Sequence, residues 1–371
     1  MPTNHSGLYG EEAQRRRWTP GIRIAAEYSA ENRFAMGIFP LGSPLIGFVR
    51  MKIENICVLG GTGFVGRHLA ARLAREGYRL RLLTRHRERN KDLLVLPRAE
   101  VVETHIHDLN TLTDQLRGFD TVINLVGVLH DSGREGRGFK DAHVLLARTV
   151  VQAAKSAGVR RMLHMSALNA DAAYGAGAYL RSKGEAENLV HTTGKPDLAV
   201  TSFRPSVIFG PGDSFLTLFA GLLRKMPGVF PLACPEARFA PVYVGDLVGA
   251  MVRCLQDDRS IDRHYEICGP KVYTLRELVR YTAQVTGKNT RVLGLSDTLS
   301  KIQARMLEFT PGKPMSYDNY LSMKVDSVCA CNALETLGIT PTPMESIVPG
   351  YLRGAGRRGR YDVFRRQARR G

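Results

Sequence analysis

Short apolar runs of strand length alternate along this chain with amphipathic stretches of helix length. The first run, Ile56 to Leu59, precedes a segment whose Val65, Leu69 and Leu73 fall on one helical face while Arg67, Arg72 and Arg75 fall elsewhere. Further strands are expected at Arg79 to Thr84, Glu100 to Glu103, Thr121 to Val126, Arg160 to Met165 and Ala199 to Arg204. Helices are expected from about Lys140 to Ala157 and around Tyr179. Strand and helix in strict alternation predict an α/β fold with a doubly wound parallel sheet and right-handed crossovers. Beyond Pro211, helical patterns at Phe215 to Lys225, Leu247 to Leu255 and Leu275 to Val285 interleave with extended ones at Ala240 to Val244 and His264 to Cys268, which predicts a smaller C-terminal lobe.

The turn after the first strand carries the most specific chemistry. Gly60, Gly61, Thr62, Gly63, Phe64, Val65 and Gly66 satisfy the G-x-G-x-x-G spacing between a strand and a helix, the context of a Rossmann-type dinucleotide turn. A Cβ there would block the turn and the approach of backbone N–H groups to a pyrophosphate, and the helix N-terminus adds partial positive charge beneath it. An NAD-type site carries an acid about 20 residues further on, for the ribose 2′-hydroxyl. Here the second strand ends instead in Thr84-Arg85-His86-Arg87, whose guanidinium groups suit a 2′-phosphate. NADP(H) is therefore expected in preference to NAD(H), with Arg85 as the discriminating residue.

A second constellation combines Tyr179 and Lys183, four apart on one helical face, with Ser166 at the end of a strand. A lysine ammonium beside a phenol would lower its pKa and let Tyr179 exchange a proton with a carbonyl or alcohol during hydride transfer. The serine hydroxyl would bond the same oxygen.

With the glycine turn, these residues resemble the extended short-chain dehydrogenase/reductase superfamily over about residues 53 to 350. The resemblance implies Tyr179 as acid/base, Lys183 as a further ligand of the nicotinamide ribose and Ser166 as the substrate-orienting group. It also implies an adenine contact at Asp108 and Leu109, a cofactor role for Asn124 and Gly127 within Asn124-Leu125-Val126-Gly127, and a carboxamide contact from the backbone of Pro205, Ser206 and Val207. Four ordered segments, His164-Met165-Ser166-Ala167-Leu168-Asn169-Ala170, Tyr179-Leu180-Arg181-Ser182-Lys183, Phe209-Gly210-Pro211-Gly212-Asp213-Ser214-Phe215 and Pro241-Val242-Tyr243-Val244-Gly245-Asp246, are similar to an atypical branch. That branch includes the NADPH-binding accessory subunit of respiratory complex I and proteins linked to ubiquinone biosynthesis. It implies a tightly held nucleotide, often without turnover, in a protein associated with complex I or quinone metabolism. The intact Ser-Tyr-Lys set keeps an active NADP-dependent reductase, dehydrogenase or epimerase as the alternative.

On this basis residues 1–50 form an extension outside the fold, disordered or artefactual. Residues 51–210 form the NAD(P)-binding domain, joined by about 240–255, and residues 211–350 the substrate or partner lobe. The net charge of +17 is concentrated in a basic tail, residues 353–371, with eight arginines against one aspartate. Such a tail is attracted to anionic lipid or an acidic partner. No nucleic-acid motif accompanies it, and Tyr361 and Phe364 are too few for a stacking platform. The apolar stretch from Met36 to Val49 contains Pro40 and Pro44 and is shorter than the roughly 20 residues of a membrane span. A cytoplasmic protein, peripheral on the inner face of a membrane, is the expected location.

The six cysteines lack metal-binding spacing and read as reduced, Cys329-Ala330-Cys331 included. No metal centre is expected: His105-Ile106-His107-Asp108 falls in the adenine loop of the resembling family. His164 reads as a hydrogen-bonded core histidine, Asp246 as a helix N-cap, and the Phe215 to Leu223 stripe as core or an interface rather than the lining of a lipophilic pocket.

Overall fold

The computed structural model describes residues 53–129, 136–226, 228–310 and 315–353. The expectations for residues 1–50 and for the tail beyond Arg353 lie outside the described residues. Seven strands form the central sheet: β1 (Asn55–Leu59), β2 (Arg79–Thr84), β3 (Ala99–Glu103), β4 (Thr121–Asn124), β5 (Arg161–Met165), β6 (Ala199–Pro205) and β7 (His264–Ile267). Their order is β7-β6-β5-β4-β1-β2-β3, and every pairing is parallel. The order reverses between β1 and β4, and an open sheet of this kind binds ligands in the crevice at the carboxyl ends of the strands beside that switch.

Each strand residue points to one face or the other with period two, so the sheet is buried on both sides. Ile56 and Val58 pack with Leu69 and Leu73 of helix α1 (Phe64–Arg75) and with Leu247 and Met251 of the helix Val244–Leu255. Cys57 and Leu59 face the opposite way, toward Leu112 and Leu116 of helix α2 (Leu109–Leu116) and Val150 and Ala154 of the helix Leu146–Ser156. A separate apolar cluster joins Leu216, Phe219 and Leu223 to Leu278, Val279, Met344 and Val348. Of the Phe215 to Leu223 stripe, Leu216, Phe219 and Leu223 are thus core, Phe215 and Leu222 pack partly buried against it, and Leu218 is exposed.

Arg161, fully buried at the start of β5, ties this frame together with polar bonds. Its guanidinium donates to Ala199 O (3.0 Å), Thr201 Oγ1 (2.6 Å), Cys254 O (3.0 Å) and Ser260 Oγ (2.8 Å). Burial lowers its pKa to about 10, which leaves it charged at neutral pH. Four acceptors replace the water it lost, as a buried cation requires.

Three local expectations need correction. The helix foreseen from about Lys140 opens as Arg137–Phe139, widens into a π-helical turn at Lys140–Leu145 and only then becomes α-helical at Leu146–Ser156. Asp246 does not cap its helix, which begins at Val244; its carboxylate accepts from Thr342 N (2.7 Å) and Thr342 Oγ1 (2.9 Å), pinning a late segment to the sheet layer. The cysteines are not all reduced, because Cys268 and Cys329 form a disulfide across 61 residues of sequence. Cys331, the neighbour in the Cys-x-Cys pair, is free and exposed.

Candidate functional site

The β1–α1 turn is built by sterics. Gly60 has φ +76°, the left-handed region that side chains resist, and a Cβ on it would meet Leu125 C and Val126 N at 3.2 Å. The turn therefore lies directly against the chain leaving β4. A Cβ on Gly66 would stand 2.6 Å from Gly61 C and Cα, and closer still to Gly60 O. Gly63 takes the N-cap position of α1 with no side-chain cap, so the first N–H groups of the helix are left for another acceptor. Thr62 Oγ1 lies 3.5 Å from Thr84 Oγ1, which sets the turn beside the end of β2. These are the features a pyrophosphate requires, and the residues fit a dinucleotide.

Parallel topology brings the other sequence-derived residues to the same edge. Arg85 follows β2 and is exposed, whereas Arg87 is anchored through its backbone N–H to Glu103 Oε2 (2.7 Å). Asp108 follows β3, but its carboxylate is occupied as the N-cap of α2, accepting from Thr111 N at 2.8 Å; those Thr111 bonds hold its pKa below the usual range. Leu109 stays partly exposed beside it. Asn124 ends β4 and folds its Oδ1 back onto Val126 N (3.1 Å), leaving Gly127 so close to Lys183 that a Cβ would lie 3.1 Å from Nζ. Pro205 ends β6. Ser206 is buried, its Oγ donating to Ser327 O at 2.7 Å, while Val207 O accepts from Val242 N.

The Ser-Tyr-Lys residues are not wired as their spacing suggests. Tyr179 and Lys183 lie on the helix Ala178–Gly194. Lys183 is buried and donates from Nζ to Met165 O at 3.0 Å; burial lowers its pKa to about 8, partly offset by Glu187. The Tyr179 phenol is pushed up to about 12 by burial and then by the Asp318 carboxylate, the reverse of the expected lowering by lysine. Burial and the Asp318 carboxylate set the phenol, while the Lys183 ammonium is turned to Met165 O. Ser166 departs as well: its hydroxyl donates to Glu187 Oε2 at 2.7 Å and not toward a substrate oxygen.

Several members of the site were not legible in sequence. Glu187 is fully buried and accepts from Ser166, from Arg204 Nε (2.9 and 3.0 Å to its two oxygens) and from His264 Nδ1 through a short contact. Burial alone would raise its pKa, but the His264 bond, the Arg204 charge and the Ser166 bond together bring it down to about 2. His143, placed by the π-helical turn, packs edge-on against Tyr179 with ring centroids 5.6 Å apart. Its Nε2 accepts from Val128 N (3.1 Å), which puts the ring proton on Nδ1, 2.8 Å from Ser182 Oγ; Ser182 in turn donates to Tyr179 O. Burial, then the Lys183 charge, lowers its pKa to about 2 and keeps it neutral. Asp318, from the helix Tyr317–Ser322, accepts from Ala178 N (2.6 Å) and Tyr179 N (3.2 Å), so a segment about 140 residues away caps the tyrosine helix. His164 is buried with Nδ1 3.5 Å from Asn124 Nδ2, yet its Nε2 has no partner among the described residues, so it is only half satisfied.

Comparison with known proteins agrees with this geometry. A profile of the NAD dependent epimerase/dehydratase family matches residues 56–268. NADH dehydrogenase [ubiquinone] 1 alpha subcomplex subunit 9 of Rattus norvegicus mitochondria is 30% identical over 300 residues, covering 78% of this chain and 77% of that protein. A ceramide reductase of Caulobacter vibrioides is 29% identical over 246 residues, covering 65% of this chain and 74% of the enzyme. Among solved structures, a dTDP-glucose 4,6-dehydratase of Streptomyces venezuelae with bound NAD superposes with TM-score 0.64 at 20% identity, covering 81% of this chain and 96% of that one, which shows the shared fold.

Proposed function

The chain belongs to the NAD dependent epimerase/dehydratase family, and on that footing we propose that it is an NADP(H)-holding accessory protein of respiratory complex I in which the nucleotide stabilises the fold. The observation that carries this reading is a mismatch within one site. The dinucleotide cradle is intact, whereas the Ser166 hydroxyl is committed to Glu187 and the Tyr179 phenol is pushed away from neutral pH. A bound nicotinamide would supply a hydride donor or acceptor. Around it this chain's residues are better arranged to hold than to transfer protons: Gly60 to Gly66 at the phosphates, Arg85 at a 2′-phosphate, and Lys183 and Gly127 at the ribose.

The subunit name of the rat relative supports the partner. Among the described residues no helix is long and apolar enough to cross a membrane, consistent with peripheral attachment, to which the basic tail would contribute. The two-lobe division, with 51–210 and about 240–255 in one lobe and 211–350 in the other, is part of the same proposal.

Size-resolved profiling of detergent-solubilised native membranes tests the partner. The protein is expected to migrate with complex I, and Tyr179→Phe to leave that comigration unchanged; migration of the wild type as a small free species overturns the reading. Cofactor choice has its own test. Arg85→Glu places a carboxylate where a 2′-phosphate would lie and is expected to weaken NADPH binding at least tenfold more than NADH binding, about 1.4 kcal/mol of selectivity. Equal losses in calorimetric titrations with the two nucleotides would remove Arg85 from the site.

A second reading, a reductase acting on a carbonyl lipid or quinone-related compound, is favoured by the presence of Ser166, Tyr179 and Lys183 together and by the Caulobacter relative. NADPH oxidation that depends on such a substrate and vanishes in Tyr179→Phe would establish it.

A further inference from the structure

Beyond the nucleotide crevice, the second half of the tyrosine helix approaches the edge strand β7. Glu187 and His191, one helical turn apart, face His264 at the start of that strand. One ligand atom from each of the three lies within 4.8 Å of the others. The two imidazole rings stand 4.1 Å apart, centroid to centroid, at a tilt of 30°. We propose that Glu187, His191 and His264 form a binding site for a divalent transition-metal ion of the zinc class.

The donor chemistry supports this assignment. Two imidazole nitrogens and one carboxylate oxygen are a set that zinc accepts, with a fourth position left for solvent. His264 has a side chain 37% exposed while Glu187 is fully buried, so the site opens outward from a buried base. His191 Nε2 lies 2.9 Å from Ser202 Oγ, an outer contact of the kind that fixes the tautomer of a metal-binding histidine. In the tautomer that donates Nε2–H to Ser202 Oγ, Nδ1 carries a lone pair and stands 3.9 Å from Asp262 Oδ1, too far for a hydrogen bond. A cation beside these donors would relieve the opposition between that lone pair and the carboxylate. It would take the place of the proton shared by Glu187 Oε1 and His264 Nδ1. Glu187 Oε2 keeps Ser166.

Two charges work against the ion. Arg204 already pairs with Glu187, and Lys195 Nζ lies 3.0 Å from Asp262 Oδ2. The affinity should therefore be modest, with a dissociation constant on the order of 1 μM rather than the far tighter values of structural zinc sites.

The test is calorimetric titration of zinc sulfate into the full chain, free of any affinity tag and carrying Cys331→Ser to remove the exposed thiol. One equivalent should bind, and His264→Ala should weaken it at least tenfold. His264 is partly exposed, so that change opens no core cavity, although it removes one of the bonds to Glu187. X-ray absorption at the zinc edge, on the Cys331→Ser protein with His264 intact, gives an independent readout and should show a nitrogen and oxygen shell with two imidazoles. Absence of stoichiometric binding, one equivalent that survives His264→Ala, or a sulfur-containing shell would each overturn the proposal.

Discussion

Gly66→Val is expected to weaken NADPH binding at least 100-fold and to lower the stability of the protein by about 1–3 kcal/mol. The reason is steric and local. A Cβ at position 66 would sit 2.6 Å from two backbone atoms of Gly61 and nearer still to Gly60 O. Backbone cannot step aside as a flexible side chain can, so α1 must lift away from β1. The lift removes the uncapped N–H groups from the phosphate position and opens the packing of Leu69 and Leu73 against Ile56 and Val58. A loss of 100-fold corresponds to about 2.7 kcal/mol, and overpacking a core typically costs about 1–3 kcal/mol. Gly77→Ala is the matched control. Gly77 also has a positive φ, +87°, but nothing lies within 4 Å of its would-be Cβ. Only backbone strain of about 1–2 kcal/mol is expected there, with nucleotide affinity unchanged. Calorimetric titration and urea unfolding of the two variants separate these outcomes, and wild-type affinity in Gly66→Val would sink the steric account.

Glu187→Ala should cost about 3–5 kcal/mol of folding stability, because it leaves Arg204 beside an empty buried position and strips Ser166 and His264 of their acceptor. The acid limb of the stability curve carries the same information. Glu187 titrates at about 2 against an ordinary value of 4.5. Its folded pKa is depressed, so its contribution is fully present above pH 4.5 and is lost as the pH falls toward 2. That contribution amounts to about 3 kcal/mol. His191, lowered to about 4 chiefly by burial and then by the charge of His264, adds to the loss, since it must take up a proton near a cationic neighbour. Lys195, Arg204 and Asp262 complete the charged surroundings. Urea unfolding at pH 7 and at pH 3 should show the wild type losing more stability than Glu187→Gln. Parallel losses would mean that Glu187 is not the buried anion described.

The glycine turn was legible because sterics alone dictate it: a side chain at Gly60 would meet both a left-handed φ and the backbone of Leu125 and Val126, and no Cβ fits at Gly66. The doubly wound parallel sheet followed from alternation of strand and helix, and Tyr179 and Lys183 from helical periodicity. What the chain did not disclose lies in contacts between distant segments. Asp318 reaches the Tyr179 helix from about 140 residues away, Glu187 captures Ser166 across 21 residues, and Cys268 finds Cys329 across 61. Helical spacing put Lys183 and Tyr179 on one face. It could not reveal that Met165 O competes for the ammonium, or that burial would dominate the phenol. Asp246 has the residue type and local context of a helix cap, and only the arrival of Thr342 assigns it to another partner. The His191–His264 pair was hidden for a related reason, since 73 residues separate a helix from an edge strand that meet only in the fold.

The central claim is that this chain holds NADP(H) firmly without turning it over. Native mass spectrometry of the protein purified from its own membranes, without added nucleotide, tests it most directly. The account predicts one NADP or NADPH per chain, retained through purification and unchanged in redox state on incubation with membrane extract. A protein that emerges empty or carrying NAD, or whose bound NADPH is oxidised by the extract in a Tyr179-dependent manner, would contradict it.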